Sequence, residues 1–162
     1  MPGSLYRWYG ARELEALAKR GGTLQGELDL ERLPRLAELL NSDRGSVKAA
    51  LRFRQQGGWL IIALEHAAVL ELTCQRCLEP VAYRLEDTVE LAVLESPSQE
   101  QRRPEGLEPL VLEDERFRPA TLVEDELIIA LPFVPRHESI EACGSLARDS
   151  VLLSDPEREE RS

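Results

Sequence analysis

Apolar and polar positions change their period several times along this chain, and each change predicts an element. From Ala11 to Lys19, Leu14, Leu17 and Ala18 fall on one face at helical spacing, and Gly21-Gly22 ends the run. Thr23 to Leu30 alternates, with Leu24, Gly26, Leu28 and Leu30 opposite Thr23, Gln25, Glu27 and Asp29, which predicts a strand. Leu33, Leu36, Ala37 and Leu40 then recur at i, i+3, i+4 and i+7, so a second helix is predicted within Leu30 to Leu40, with Pro34 in its first turn. Asn41 to Gly45 reads as a turn.

Period two returns at Ser46. Val47, Ala49, Leu51 and Phe53 alternate with Lys48, Ala50, Arg52 and Arg54, Gln55 to Gly58 supplies a reversal, and Trp59 to Leu64 reads as the returning strand. Ala67 to Cys74 alternates again, placing Cys74 on the apolar side with Leu70 and Leu72, and Val81 to Leu94 continues as a long strand. Ser96 to Leu107 holds Pro97, Pro104 and Gly106 without apolar periodicity and predicts a mobile loop over 96–107. Thr121 and Glu124 have capping-box spacing, so a helix is predicted from Thr121 with Val123, Leu127, Ala130 and Leu131 as its buried stripe, ending at Pro132. The pattern predicts an α+β fold: an antiparallel meander of about five strands with a few helices on one face. Residues 1–153 form its single domain, and the polar stretch 154–162 is expected to be a disordered acidic tail.

Length agrees with one domain, since 162 residues can bury a core without disulfide staples. The longest apolar stretches are interrupted by Glu65 and His66, so no membrane span is expected. An odd count of three cysteines, and an N-terminus without a basic and apolar leader pattern, point to the cytoplasm. A net charge of −10 argues against a general grip on nucleic-acid phosphates, yet it is unevenly spread: +3 over residues 1–60 and −13 over 61–162. Arg32, Arg35, Arg44, Lys48, Arg52 and Arg54 could line a basic surface, or be ordinary solvated charge.

The chemistry-bearing residues are few. Cys74 and Cys77 stand as C-x-x-C at a strand end, with His137 and Cys143 far downstream. Three readings fit. Cys74, Cys77, His137 and Cys143 supply the ligand count of a tetrahedral zinc site, two thiols could form a redox pair, or the cysteines are small buried side chains beside a turn. His66, inside an apolar run, reads as a strand residue with a local hydrogen bond. The chain has no G-x-S-x-G, H-E-x-x-H, Walker or G-x-G-x-x-G run, and the carboxylates at Glu124-Asp125-Glu126 suit a helix start better than a magnesium site, so no enzyme is expected.

The run Leu72-Thr73-Cys74-Gln75-Arg76-Cys77-Leu78-Glu79-Pro80, followed by Glu124-Asp125-Glu126-Leu127-Ile128-Ile129-Ala130-Leu131-Pro132-Phe133-Val134-Pro135-Arg136-His137, resembles the bacterial and plastid YceD family in order and spacing. The resemblance covers the central and C-terminal two thirds of the chain. It implies a non-enzymatic factor of ribosome biogenesis needed for synthesis, processing or accumulation of 23S ribosomal RNA, with a ribosomal RNA precursor or large-subunit assembly proteins as partners. Relatives often carry glycine after the second cysteine, where this chain has Leu78. A second expectation, from the thiols and the acidic C-terminal half, is a zinc- or thiol-dependent regulatory module working through protein contacts.

Overall fold

The computed structural model describes residues 3–112 and 114–143. A five-stranded sheet is built from β2 (Thr23–Asp29), β3 (Ser46–Gln56), β4 (Trp59–Thr73), β5 (Pro80–Leu94) and β6 (Glu108–Val111), in that order. A separate two-stranded ribbon pairs β1 (Tyr9–Gly10) with β7 (Arg116–Phe117). The helices are α1 (Gly3–Tyr6), α2 (Ala11–Lys19), α3 (Pro34–Ala37) and α4 (Pro119–Ala130). The chain is a single α+β domain.

Local chemistry sets the boundaries. Helix α2 opens where the Gly10 N–H donates to the Glu13 carboxylate at 3.2 Å. It closes in a Schellman turn, in which Gly22 N–H reaches the Leu17 carbonyl at 2.8 Å and Gly21 N–H that of Ala18 at 3.2 Å, with Gly21 at φ +62°. Strands β3 and β4 meet through Gly57 and Gly58, at φ +59° and +83°, between the paired Gln56 and Trp59. Two left-handed residues in a two-residue loop match the right-handed twist of the strands they join.

The meander is antiparallel from β2 to β5. The fifth strand is not: β6 lies parallel to β5, with Leu91 opposite Glu108 and Leu94 opposite Val111. A parallel neighbour requires the chain to travel back along the sheet, and it does so through residues 95–107, where Pro97–Arg102 winds into a 3-10 helix. The two returning segments predicted around Glu65 and His66 are one fifteen-residue strand, β4, because both residues keep the alternation: Glu65 faces out and His66 faces in.

One face of the sheet is covered. Val47, Ala49, Leu51 and Phe53 of β3 and Ile62, Leu64, Ala68 and Leu70 of β4 pack against Leu5, Leu14, Leu17, Leu36, Leu122, Val123 and Leu127 from the four helices. Burial of this surface is the main favourable term in folding. The other face carries Lys48, Arg52, Arg54, Glu65 and Glu90 and, at one end, a smaller buried apolar cluster of Ile61, Ala92, Leu94 and Leu107 beside Trp59.

Two helix predictions are corrected. Within Leu30 to Leu40 the chain forms a 3-10 turn, Leu30–Arg32, and then the single turn of α3 from Pro34, because proline lacks the N–H that would continue the helix through it. Helix α4 starts at Pro119, two residues before Thr121, with Arg118 at its N-cap. Pro119 has its φ already set for a first helical position, and Thr121 becomes an ordinary residue of the first turn. The Glu124 carboxylate does not return to its own helix. It accepts from the backbone N–H groups of Arg35, at 2.9 Å, and Leu36, at 3.2 Å, and so caps α3 instead. The tail expected over 154–162 lies outside the described residues.

Candidate metal centre

The β4–β5 hairpin, fifteen residues on each side, ends in the loop 74–79. Alternation along β4 carries Leu70, Leu72 and then Cys74 to the inner side, all buried. The loop is closed by Cys74 N–H donating to the Glu79 carbonyl at 2.9 Å and Leu78 N–H to the Cys74 carbonyl at 2.8 Å. This tight turn forces Leu78 to φ +62°, the left-handed region that glycine occupies at little cost. The Leu78 side chain points into solvent, so the position is a backbone requirement met by an unfavourable residue.

Helix α4 ends before Pro132, and the segment after it returns to the hairpin tip. Gln75 N–H donates to the Pro135 carbonyl at 2.8 Å, and the Arg76 guanidinium donates to the His137 carbonyl. A short 3-10 turn, Ile140–Ala142, then delivers Cys143 beneath the tip, where Cys74 and Cys143 are buried with Cys77, Val81 and Ile140 around them. All four residues singled out in the sequence are brought together. Their ligand atoms lie within 4.8 Å of one another. Cys74 Sγ is 3.9 Å from Cys143 Sγ, and His137 Nδ1 is 3.5 Å from both Cys77 Sγ and Cys143 Sγ.

The imidazole is oriented from behind. His137 Nε2 sits 3.1 Å from the Pro80 carbonyl, which can only accept, so Nε2 carries the proton and the Nδ1 lone pair faces the sulfurs. The thiols differ in character. Burial opposes ionisation of Cys74, but the backbone N–H groups of Cys77, His137 and Arg76 favour its thiolate and hold the thiol below its ordinary value. Burial, with the neighbouring Cys77 and Cys74 sulfurs, pushes Cys143 up to about 11. A polarised pocket of three sulfurs and one imidazole nitrogen can bind a soft or borderline cation.

Sequence reading missed Arg76 and Pro80, which position His137. Arg76 sat inside the C-x-x-C run without any pattern to mark it, and a carbonyl leaves no trace in sequence. The other two functional candidates separate. His66 lies in the middle of β4, buried between Ala49 and Asp87, with its Nδ1 unpartnered among the described residues. Burial depresses its pKa, and Asp87 partly offsets this. The candidate basic surface is broken up. Lys48, Arg52 and Arg54 are on the polar face of β3, where Arg52 pairs with Glu65 and Arg54 with Glu90, while Arg35 on α3 pairs with Glu124 and Asp125. The Arg32 guanidinium stacks 3.5 Å above the Tyr6 ring. Among the described residues no helix is long and apolar enough to cross a membrane.

No solved structure matches the chain. Among curated proteins it is similar to the large ribosomal RNA subunit accumulation protein YceD of Haemophilus influenzae, at 34% identity over 129 residues, which cover 77% of this chain and 72% of that protein. A family model described as large ribosomal RNA subunit accumulation protein YceD matches residues 62–161. That span takes in most of β4, all of β5, the cysteine tip and the returning histidine segment, and the chain belongs to the YceD family.

Proposed function

We propose that this protein supports accumulation of 23S ribosomal RNA as a non-enzymatic assembly factor in the cytoplasm, working through a protein component of the large-subunit precursor. The observation that carries the role is the family match together with a similar relative named for that role across most of both chains. The choice of a protein contact over a phosphate grip follows from charge. The chain carries −10 overall, and Arg35, Arg52 and Arg54, half of the candidate basic surface, are already held by carboxylates. Cations neutralised in this way release few counterions on meeting RNA, so they add little to affinity.

The test is sedimentation of extracts from cells carrying a tagged copy, with and without ribonuclease, beside the ratio of 23S to 16S RNA in a deletion strain. The expected result is co-sedimentation with large-subunit precursors and a lowered ratio. An unchanged ratio, with the protein confined to the top of the gradient, would remove the proposal.

A further inference from the structure

We propose that Cys74, Cys77, His137 and Cys143 hold one structural zinc ion, which fastens the chain after α4 to the tip of the β4–β5 hairpin. Zinc bonds of about 2.3 Å to sulfur and 2.0–2.1 Å to nitrogen, arranged tetrahedrally, require edges of about 3.8 Å between sulfurs and about 3.5 Å between sulfur and nitrogen. The observed edges are 3.9 Å for Cys74 to Cys143, and 3.5 Å for His137 Nδ1 to each of Cys77 and Cys143. Three of the six edges of the donor set therefore match a zinc tetrahedron, and every remaining pair of ligand atoms lies within 4.8 Å.

The sulfurs are too far apart for a disulfide as they stand, since that bond is about 2.05 Å long. Packing of small side chains does not explain the imidazole. A buried apolar cluster gains nothing from a ring nitrogen aimed between two sulfurs, whereas a metal site needs that lone pair and needs the opposite nitrogen tied to a fixed acceptor. The Pro80 carbonyl supplies the acceptor at 3.1 Å. The turn adds a second layer, with the Arg76 guanidinium on the His137 carbonyl.

The ligand set decides the metal and the role. Three thiolates and one imidazole suit zinc and reject magnesium or calcium, which take oxygen ligands. Four protein ligands complete the tetrahedron and leave no position for water, so the ion is structural. Binding converts the thiols to thiolates and releases their protons to solvent. The loaded centre then carries one net negative charge, with Arg76 as the cation of the same turn.

The full-length chain, purified under reducing conditions without added metal, should contain one zinc per molecule by elemental analysis. Replacement by cobalt(II) should give the intense visible bands of a tetrahedral ion with a near-ultraviolet thiolate charge-transfer band. Cys77→Ser and His137→Ala should each lower zinc affinity about tenfold or more. The cobalt spectrum of the unaltered protein keeps the test decisive should a variant fail to fold. An unaltered protein that stays metal-free after reduction and reconstitution overturns the proposal. So does an octahedral cobalt spectrum, or full zinc retention by folded Cys77→Ser and His137→Ala. Metal content is read on purified protein and the biogenesis role in cells, so either result can fail without the other.

Discussion

Glu124, on α4, closes the N-terminus of α3 from 89 positions away: its carboxylate takes the Arg35 and Leu36 amides and, at 2.9 and 3.2 Å, the Arg35 guanidinium. The carboxylate is buried, while the Arg35 side chain is half exposed. One side chain therefore satisfies two orphan helix amides and locks α3 to α4. Glu124→Ala strands those amides and is expected to cost about 2–4 kcal/mol, and Glu124→Gln, which keeps one acceptor oxygen, less. The urea midpoint should fall with an unchanged m-value; a loss below about 0.5 kcal/mol would contradict the capping role.

Glu126, on the same helix, behaves oppositely. Burial, reinforced by Glu108, Asp125 and Asp87, pushes its carboxyl up from 4.5 to about 7. The native state then holds a proton that the unfolded chain has already released, so stability falls as pH rises from about 4.5 to about 7, and the penalty is complete above that. Glu126→Gln is expected to be more stable than the parent at pH 8 and no more stable at pH 4. Parallel pH–stability curves for the two proteins would refute this.

His66 titrates in the other sense. Its folded-state pKa lies below the ordinary 6.5, so the unfolded chain takes up a proton first and stability declines as pH falls below about 6.5. His66→Leu removes both the titration and an unpartnered buried nitrogen. Thermal melts should show the variant at least as stable at pH 7.5 and more clearly stabilised at pH 5.5; equal effects at both values would argue against a depressed His66.

Leu78 is the strained residue of the cysteine loop. Leu78→Gly relieves a left-handed β-carbon at φ +62° and gives up little burial, since the side chain is 72% exposed. A gain of about 0.5–1 kcal/mol is expected. Destabilisation in calorimetry would mean that the leucine side chain makes contacts that outweigh its backbone cost.

Much of the fold was legible because its strands have one wet face. Val47 to Phe53 and Leu70 to Cys74 alternate so regularly that parity alone placed Cys74 inside. The parallel β6 was not legible: Glu108-Pro109-Leu110-Val111 is four residues long, and its pairing is fixed by where the chain returns rather than by any period. The cap on α3 escaped for the same reason, since Glu124 has capping-box spacing from Thr121 and only the geometry reveals that it serves another helix. In the cluster, residue types gave the four candidates, but their meeting depends on Pro132 ending α4 and on the Pro135 and His137 carbonyls docking on the loop.

Arg76 and His137 stand 61 positions apart, which sets an order on biosynthesis. At ordinary elongation rates the thiol-bearing loop leaves the peptide exit several seconds, about 3–12 s, before its imidazole partner. During that interval the β2–β5 meander can form while its far end stays unfinished. Closure of the tip is thus a late event in the life of each nascent molecule.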